Sequence, residues 1–66
     1  MMTLLEYRQS LGLTQAQMAE IIGITQQAYQ QWESGTRLPG FRALRAIAER
    51  MKIEFLVNEK GFFVKT

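Results

Sequence analysis

Residues 25–35 read TQQAYQQWESG, four glutamines set around a tyrosine and a tryptophan. Each glutamine amide carries a donor and an acceptor side by side, which complements N7 and N6–H of adenine in the major groove of DNA. A lysine would bind phosphate anywhere, whereas an amide discriminates among bases. The bland alternative for Gln26, Gln27, Gln30 and Gln31 is a solvated polar helix face on a core-packed bundle. Just downstream, Arg37, Arg42, Arg45 and Arg50 fall within fourteen residues and are opposed there only by Glu49. The net charge is only +2, so such a local cluster suits a local anionic partner as well as it suits a solvated face.

Other chemistry is closed off by composition. The chain has no Cys and no His, which excludes disulfide staples, thiolate or imidazole metal sites and nucleophile–histidine catalysis. All six acidic residues are Glu, no pair of them has motif spacing, and there is no Gly-rich phosphate loop. An enzyme reading is therefore poor, and no metal or cofactor is expected.

The elements that must position the glutamines can be read from caps and periodicity. Thr3 with Glu6 forms a capping box and opens a first helix through about Leu11, which Gly12 ends in the left-handed conformation. Thr14 with Gln17 repeats the device and opens a second helix, about 15–22, with Met18, Ala19 and Ile22 on one face. Gly23 closes it. Thr25 caps a third helix from 26 to about 34, closed by Gly35, and Tyr29 and Trp32 turn its inner face to the core. Leu38 before Pro39 is pushed out of helical geometry, so TRLPG is a loop. A fourth helix, about 41–51, carries the stripe Phe41, Leu44, Ile47, Ala48 and Met51. Met18 and Met51 are core filling rather than a ligand site. From Lys52 on the pattern becomes β-branched and aromatic, and residues 53–65 read as a hairpin turning at NEKG.

Two short helices joined by GIT have helix-turn-helix geometry if the packing positions agree. They do: Ala19 is small enough for a close crossing, Gly23 sits where the turn needs a positive φ, and Ile24 plugs the turn. The stretch LTQAQMAEIIGITQQAYQQWESGTRLP thus resembles the helix-turn-helix of the phage-repressor and Cro family. The resemblance covers residues 4 to about 51, including Arg8 upstream and ALRAIAERM downstream. It implies a mainly α fold, a repressor-like bundle of about four helices, to which this chain adds a C-terminal β-hairpin. The domains are then 1–52 for DNA binding and 53–66 for the hairpin, a dimerisation element.

The resemblance also implies roles. Gln26 and Gln27 start the third helix, the end that enters the groove in this family, and are expected at base edges, with Gln31 one turn further. Gln30 is more peripheral, and Thr25 is first a cap whose methyl group can touch a thymine. Gln15 is expected to bond a phosphate at the start of the second helix, or to brace Gln26. Arg37 and Arg42 are the leading phosphate clamps, Arg45 a weaker one, and Arg50 structural or solvated. Arg8 and Glu33 match positions that pair in many members of the family and form a structural ion pair.

A sequence-specific regulator of double-stranded DNA, most simply a repressor, is thereby expected. It would act as a homodimer on a palindromic operator whose half-sites lie about 34 Å apart. The rival is the antitoxin of a toxin–antitoxin pair, which binds a toxin protein and represses its own operon. That rival rests on IEFLVNEKGFFVKT, which stands where many relatives have a fifth helix and resembles the strands that join two subunits in some antitoxins. Ile53, Phe55, Val57, Phe62, Phe63 and Val64 are the expected dimerisation residues. No run approaches the roughly 20 apolar residues of a membrane span, and MMTLLEYRQS lacks the character of a signal peptide. A cytoplasmic protein with no membrane partner is expected.

Overall fold

The computed structural model describes residues 1–65. Thr66, the last residue of the expected hairpin segment, lies outside the described residues. The element order is α1 (Leu4–Ser10), α2 (Gln15–Ile22), α3 (Gln26–Ser34), α4 (Phe41–Met51), β1 (Glu54–Asn58) and β2 (Gly61–Lys65). The mainly α bundle with a C-terminal hairpin is thus the observed fold.

The caps explain the short helices. Thr3 and Glu6 close a reciprocal box, with the Glu6 amide on Thr3 Oγ1 at 3.1 Å and the Thr3 amide on Glu6 Oε1 at 2.9 Å. Thr14 and Gln17 do the same at 3.1 and 2.9 Å. Each box satisfies two orphan donors, which helps a helix of seven or eight residues that is too short to persist alone. Thr25 accepts from the Ala28 amide at 3.1 Å and starts α3. Gly23 ends α2 with φ +90°, and its amide bonds Ala19 at 2.8 Å. The exposed guanidinium of Arg50 donates to the Ile21 carbonyl at 3.0 Å, so this arginine ties α4 to the end of α2.

Leu4, Met18, Ala19, Ile22, Tyr29 and Ile47 form one buried cluster drawn from all four helices. Ile24, Trp32, Met51, Ile53, Phe55 and Phe62 pack around it. Tyr29 is completely buried, whereas Trp32 is only half-buried, at the margin of the core. Phe41 departs from the expected stripe. It is the first residue of α4 and 83% exposed, because the bundle ends before it and nothing among the described residues covers it.

The hairpin pairs Phe55 with Val64 and Val57 with Phe62 in antiparallel register. Alternation turns these four side chains to one face and Leu56 and Phe63 to the other. The first face meets the bundle: Val64 is fully buried, and Phe55 and Phe62 meet edge to face at 5.9 Å. Met2 bridges the outer side of β2, donating to the Val64 carbonyl at 2.9 Å and accepting from its amide at 2.7 Å. Among the described residues no helix is long and apolar enough to cross a membrane.

Burial ranks the substitutions. Ile47→Ala, at a fully buried position, should cost about 2–5 kcal/mol, a large share of the stability of so small a domain. Leu38→Ser, at a side chain 65% exposed, should stay within about 0.5 kcal/mol. Urea unfolding of the two variants beside the parent chain measures both.

Candidate nucleic-acid interface

The orientation of α3 decides what its glutamines can meet. At 100° per residue, burying Tyr29 turns the opposite face of the helix outward. Gln27, Gln30, Gln31 and Ser34 follow one another at helical spacing along that face, with Gln26 beside them in the first turn. Gln26, Gln27, Gln30 and Ser34 are exposed and Gln31 is half-buried. The only charged residue of α3, Glu33, is turned inward, with 6% of its side chain exposed. The outward face of α3 is therefore wholly uncharged and rich in amides. Gln30 lies within the stripe rather than beside it. Ser34 is a member that sequence reasoning overlooked, although its place one turn beyond Gln30 and Gln31 was the available signal. Its hydroxyl donates to the Gln31 carbonyl at 3.2 Å and shares a hydrogen bond with Thr36.

Glu33 anchors the helix from behind. Arg8 Nε donates to Glu33 Oε2 at 2.6 Å, and Arg8 Nη2 donates to Glu33 Oε1 at 3.2 Å. The third arm of the guanidinium, Nη1, donates to the Leu13 carbonyl at 2.8 Å. Gln15 Nε2 reaches Glu33 Oε1 at 3.1 Å. One carboxylate thus joins α1, the α1–α2 loop, the start of α2 and the last turn of α3. The expected Arg8–Glu33 pair is present in bidentate form. Gln15 is braced on Glu33 rather than on Gln26, and its second amide hydrogen remains for another acceptor.

Electrostatics follow from this packing. Burial opposes ionisation of Glu33, but the polar groups around it, the Arg8 hydrogen bonds foremost, outweigh it and hold the carboxyl below its ordinary range. The bond to Glu33 in turn holds Arg8 more firmly protonated. Burial pushes the Tyr29 hydroxyl far up, with the neighbouring carboxylate adding to the effect. That hydroxyl is buried beside the pair, and among the described residues it makes no well-formed hydrogen bond.

The arginines divide. Arg37 is exposed just beyond the left-handed cap at Gly35, and its backbone amide bonds the Gln31 carbonyl at 3.2 Å. Arg42 and Arg45 are exposed on α4, where they rim a groove between that helix and β1. Arg50 is held on α2, as described. Among the described residues no three potential ligands are grouped to hold a metal ion.

The depressed Glu33 pKa carries a pH signature. Its stabilising contribution is fully present above the unfolded-state value, near 4.5, and is lost as pH falls through the lower folded-state value. Melting temperature should therefore fall on acidification below about pH 4.5, and Glu33→Gln should flatten that dependence. The same substitution weakens the clamp on Arg8 and should cost about 3–5 kcal/mol. Thermal unfolding of the two proteins between neutral and acidic pH measures both effects.

The chain is similar to proteins already known. A transcriptional repressor, RstR, of the cryptic phage CTXphi in Vibrio cholerae serotype O1 (strain ATCC 39315 / El Tor Inaba N16961) is 44% identical over 46 residues. The match takes in 70% of this chain and 41% of that protein, so the chain spans less than half of its relative's length. No solved structure matches the chain at a significant level. The helix-turn-helix family profile matches residues 4–57, from the start of α1 into β1. With two capped helices meeting at Gly23 inside that match, the chain belongs to the Cro/C1-type helix-turn-helix family.

Proposed function

We propose that this protein is a sequence-specific regulator of double-stranded DNA, a repressor that binds a palindromic operator as a dimer. The observation that carries the reading is the uncharged amide stripe on α3, whose single carboxylate is turned inward and clamped. A face without charge gains little from phosphate alone and suits the major-groove edges of bases. Gln26 and Gln27, in the first turn of α3, take the base edges, with Gln31 and Gln30 along the same stripe and the Thr25 methyl at its start. Gln15 offers its remaining amide hydrogen to a phosphate. Arg37, Arg42 and Arg45 supply phosphate contacts that add affinity without sequence information. The repressor activity of the cholera phage relative supports the reading. One module makes few base contacts, and a two-fold pair of modules doubles them. The work of the protein is binding rather than catalysis.

Selection of bound sites from random duplex DNA gives the operator, and substitutions then separate the roles. Gln27→Ala should lose about 1–3 kcal/mol on the selected site and relax one base position. Arg37→Ala should weaken all sequences alike and reduce the salt slope by about one. If Gln26→Ala and Gln27→Ala both retain the full preference for the selected site over scrambled DNA, the recognition surface lies elsewhere.

A further inference from the structure

The hairpin is not symmetric in what it leaves open. Val64 turns both its amide and its carbonyl to Met2, so it exchanges no hydrogen bonds with its partner Phe55. Alternation along an antiparallel ladder then turns the amides and carbonyls of Phe55 and Val57 to the outer edge of β1. The sheet has two strands, and among the described residues nothing pairs with that edge. Beside it runs a groove of about 520 Å³ between β1 and α4, with Phe41, Leu44, Ala48, Phe55 and Val57 along it. Phe41 is 83% exposed and Val57 51%. Open strand groups and uncovered apolar side chains thus occupy one continuous strip.

We infer that this strip is the dimer seam: β1 pairs antiparallel with β1 of a second copy about a two-fold axis at Leu56. The inference rests on the proposed dimeric regulator and names the surface that builds it. Ladder parity restricts the choice, since the outward-facing Phe55 and Val57 must meet outward-facing residues. The register centred on Leu56 sets each Phe55 against Val57 of the second copy, so that all four outward groups of each strand are bonded. It places Leu56 against Leu56 on the outer face, next to Phe63 of each hairpin, and Glu54 opposite Asn58. No like charges then stand opposite one another in the strands. A register centred on Phe55 or on Val57 would set Leu56 against Glu54 or Asn58. The result is a four-stranded sheet with both bundles on one side, bringing the two grooves and their Phe41 side chains together. Met2 blocks the far edge of each β2 at Val64, which favours a closed pair over an open chain of strands. Arg42 and Arg45 on the rim add like charge across the seam, which physiological salt screens.

The test needs no DNA, so its failure is distinct from failure of the DNA-binding reading. Sedimentation equilibrium of the whole chain at micromolar concentration and physiological salt should show a dimer. Val57→Pro removes only an outward-facing amide and leaves the intrachain ladder intact, as an edge strand tolerates. Phe41→Glu places a charge in the seam at a side chain that plays no part in the core. Each should raise the dimer dissociation constant about tenfold or more while circular dichroism stays native. Leu38→Glu, at another exposed apolar side chain outside the strip, should dimerise like the parent. Because the chain has no cysteine, Leu56→Cys should form a disulfide-linked dimer on oxidation and Glu54→Cys should not. A monomeric parent, a dimer unaffected by either Val57→Pro or Phe41→Glu, or a dimer in which Glu54→Cys crosslinks better than Leu56→Cys would overturn the assignment.

Discussion

The orientation of the amide stripe on α3 depends on one carboxylate. Glu33 receives two arms of Arg8 and the amide of Gln15, and through them α3 is tied to α1 and to the first turn of α2. A helix of nine residues held only by apolar contacts could slide or rotate by part of a turn, and every glutamine on it would then point elsewhere. Hydrogen bonds at 2.6–3.2 Å from a planar guanidinium and an amide do not permit such drift. The pair adds little net stability for its burial, because desolvation offsets attraction. What it supplies is orientation.

Around that anchor the chain separates two kinds of work. Tyr29 fills the core and Glu33 closes the clamp, so a large ring and the one charge of α3 are turned inward. The outward stripe is left with amides and a hydroxyl, groups that pair by geometry rather than by charge. Positive charge is placed off the helix, on Arg37 after its cap and on Arg42 and Arg45 in α4. A regulator arranged this way would draw sequence preference and general affinity from different residues, and salt would act on the second far more than on the first.

The hairpin solves a problem of size. A chain of 66 residues with no cysteine to form a disulfide has little core to draw on. Val64, Phe55 and Phe62 extend that core beneath the helices, and Met2 fastens the start of the chain to β2. An isolated two-stranded hairpin is marginal in water. Here it persists because one face is the floor of the bundle and one edge is already held.

What the sequence by itself determined were the local, short-range features. Thr3–Glu6, Thr14–Gln17 and Thr25 announce helix starts, and Gly23 and Gly35 announce ends, because capping and positive φ depend on neighbours in the chain. The spacing of Ala19, Gly23, Ile24 and Tyr29 was enough to identify the helix-turn-helix, and Arg8 and Glu33 were legible as a pair only through the resemblance to its family. The tertiary structure decided whatever depends on distant parts of the chain meeting. Gln15 bonds Glu33 because the start of α2 passes the last turn of α3. Phe41 satisfies the apolar period of α4 yet stays in solvent, since periodicity names a face but not where its cover ends. Which edge of the hairpin is open turned on Met2, sixty-two positions from Val64, a bridge between distant backbone atoms that no local pattern encodes.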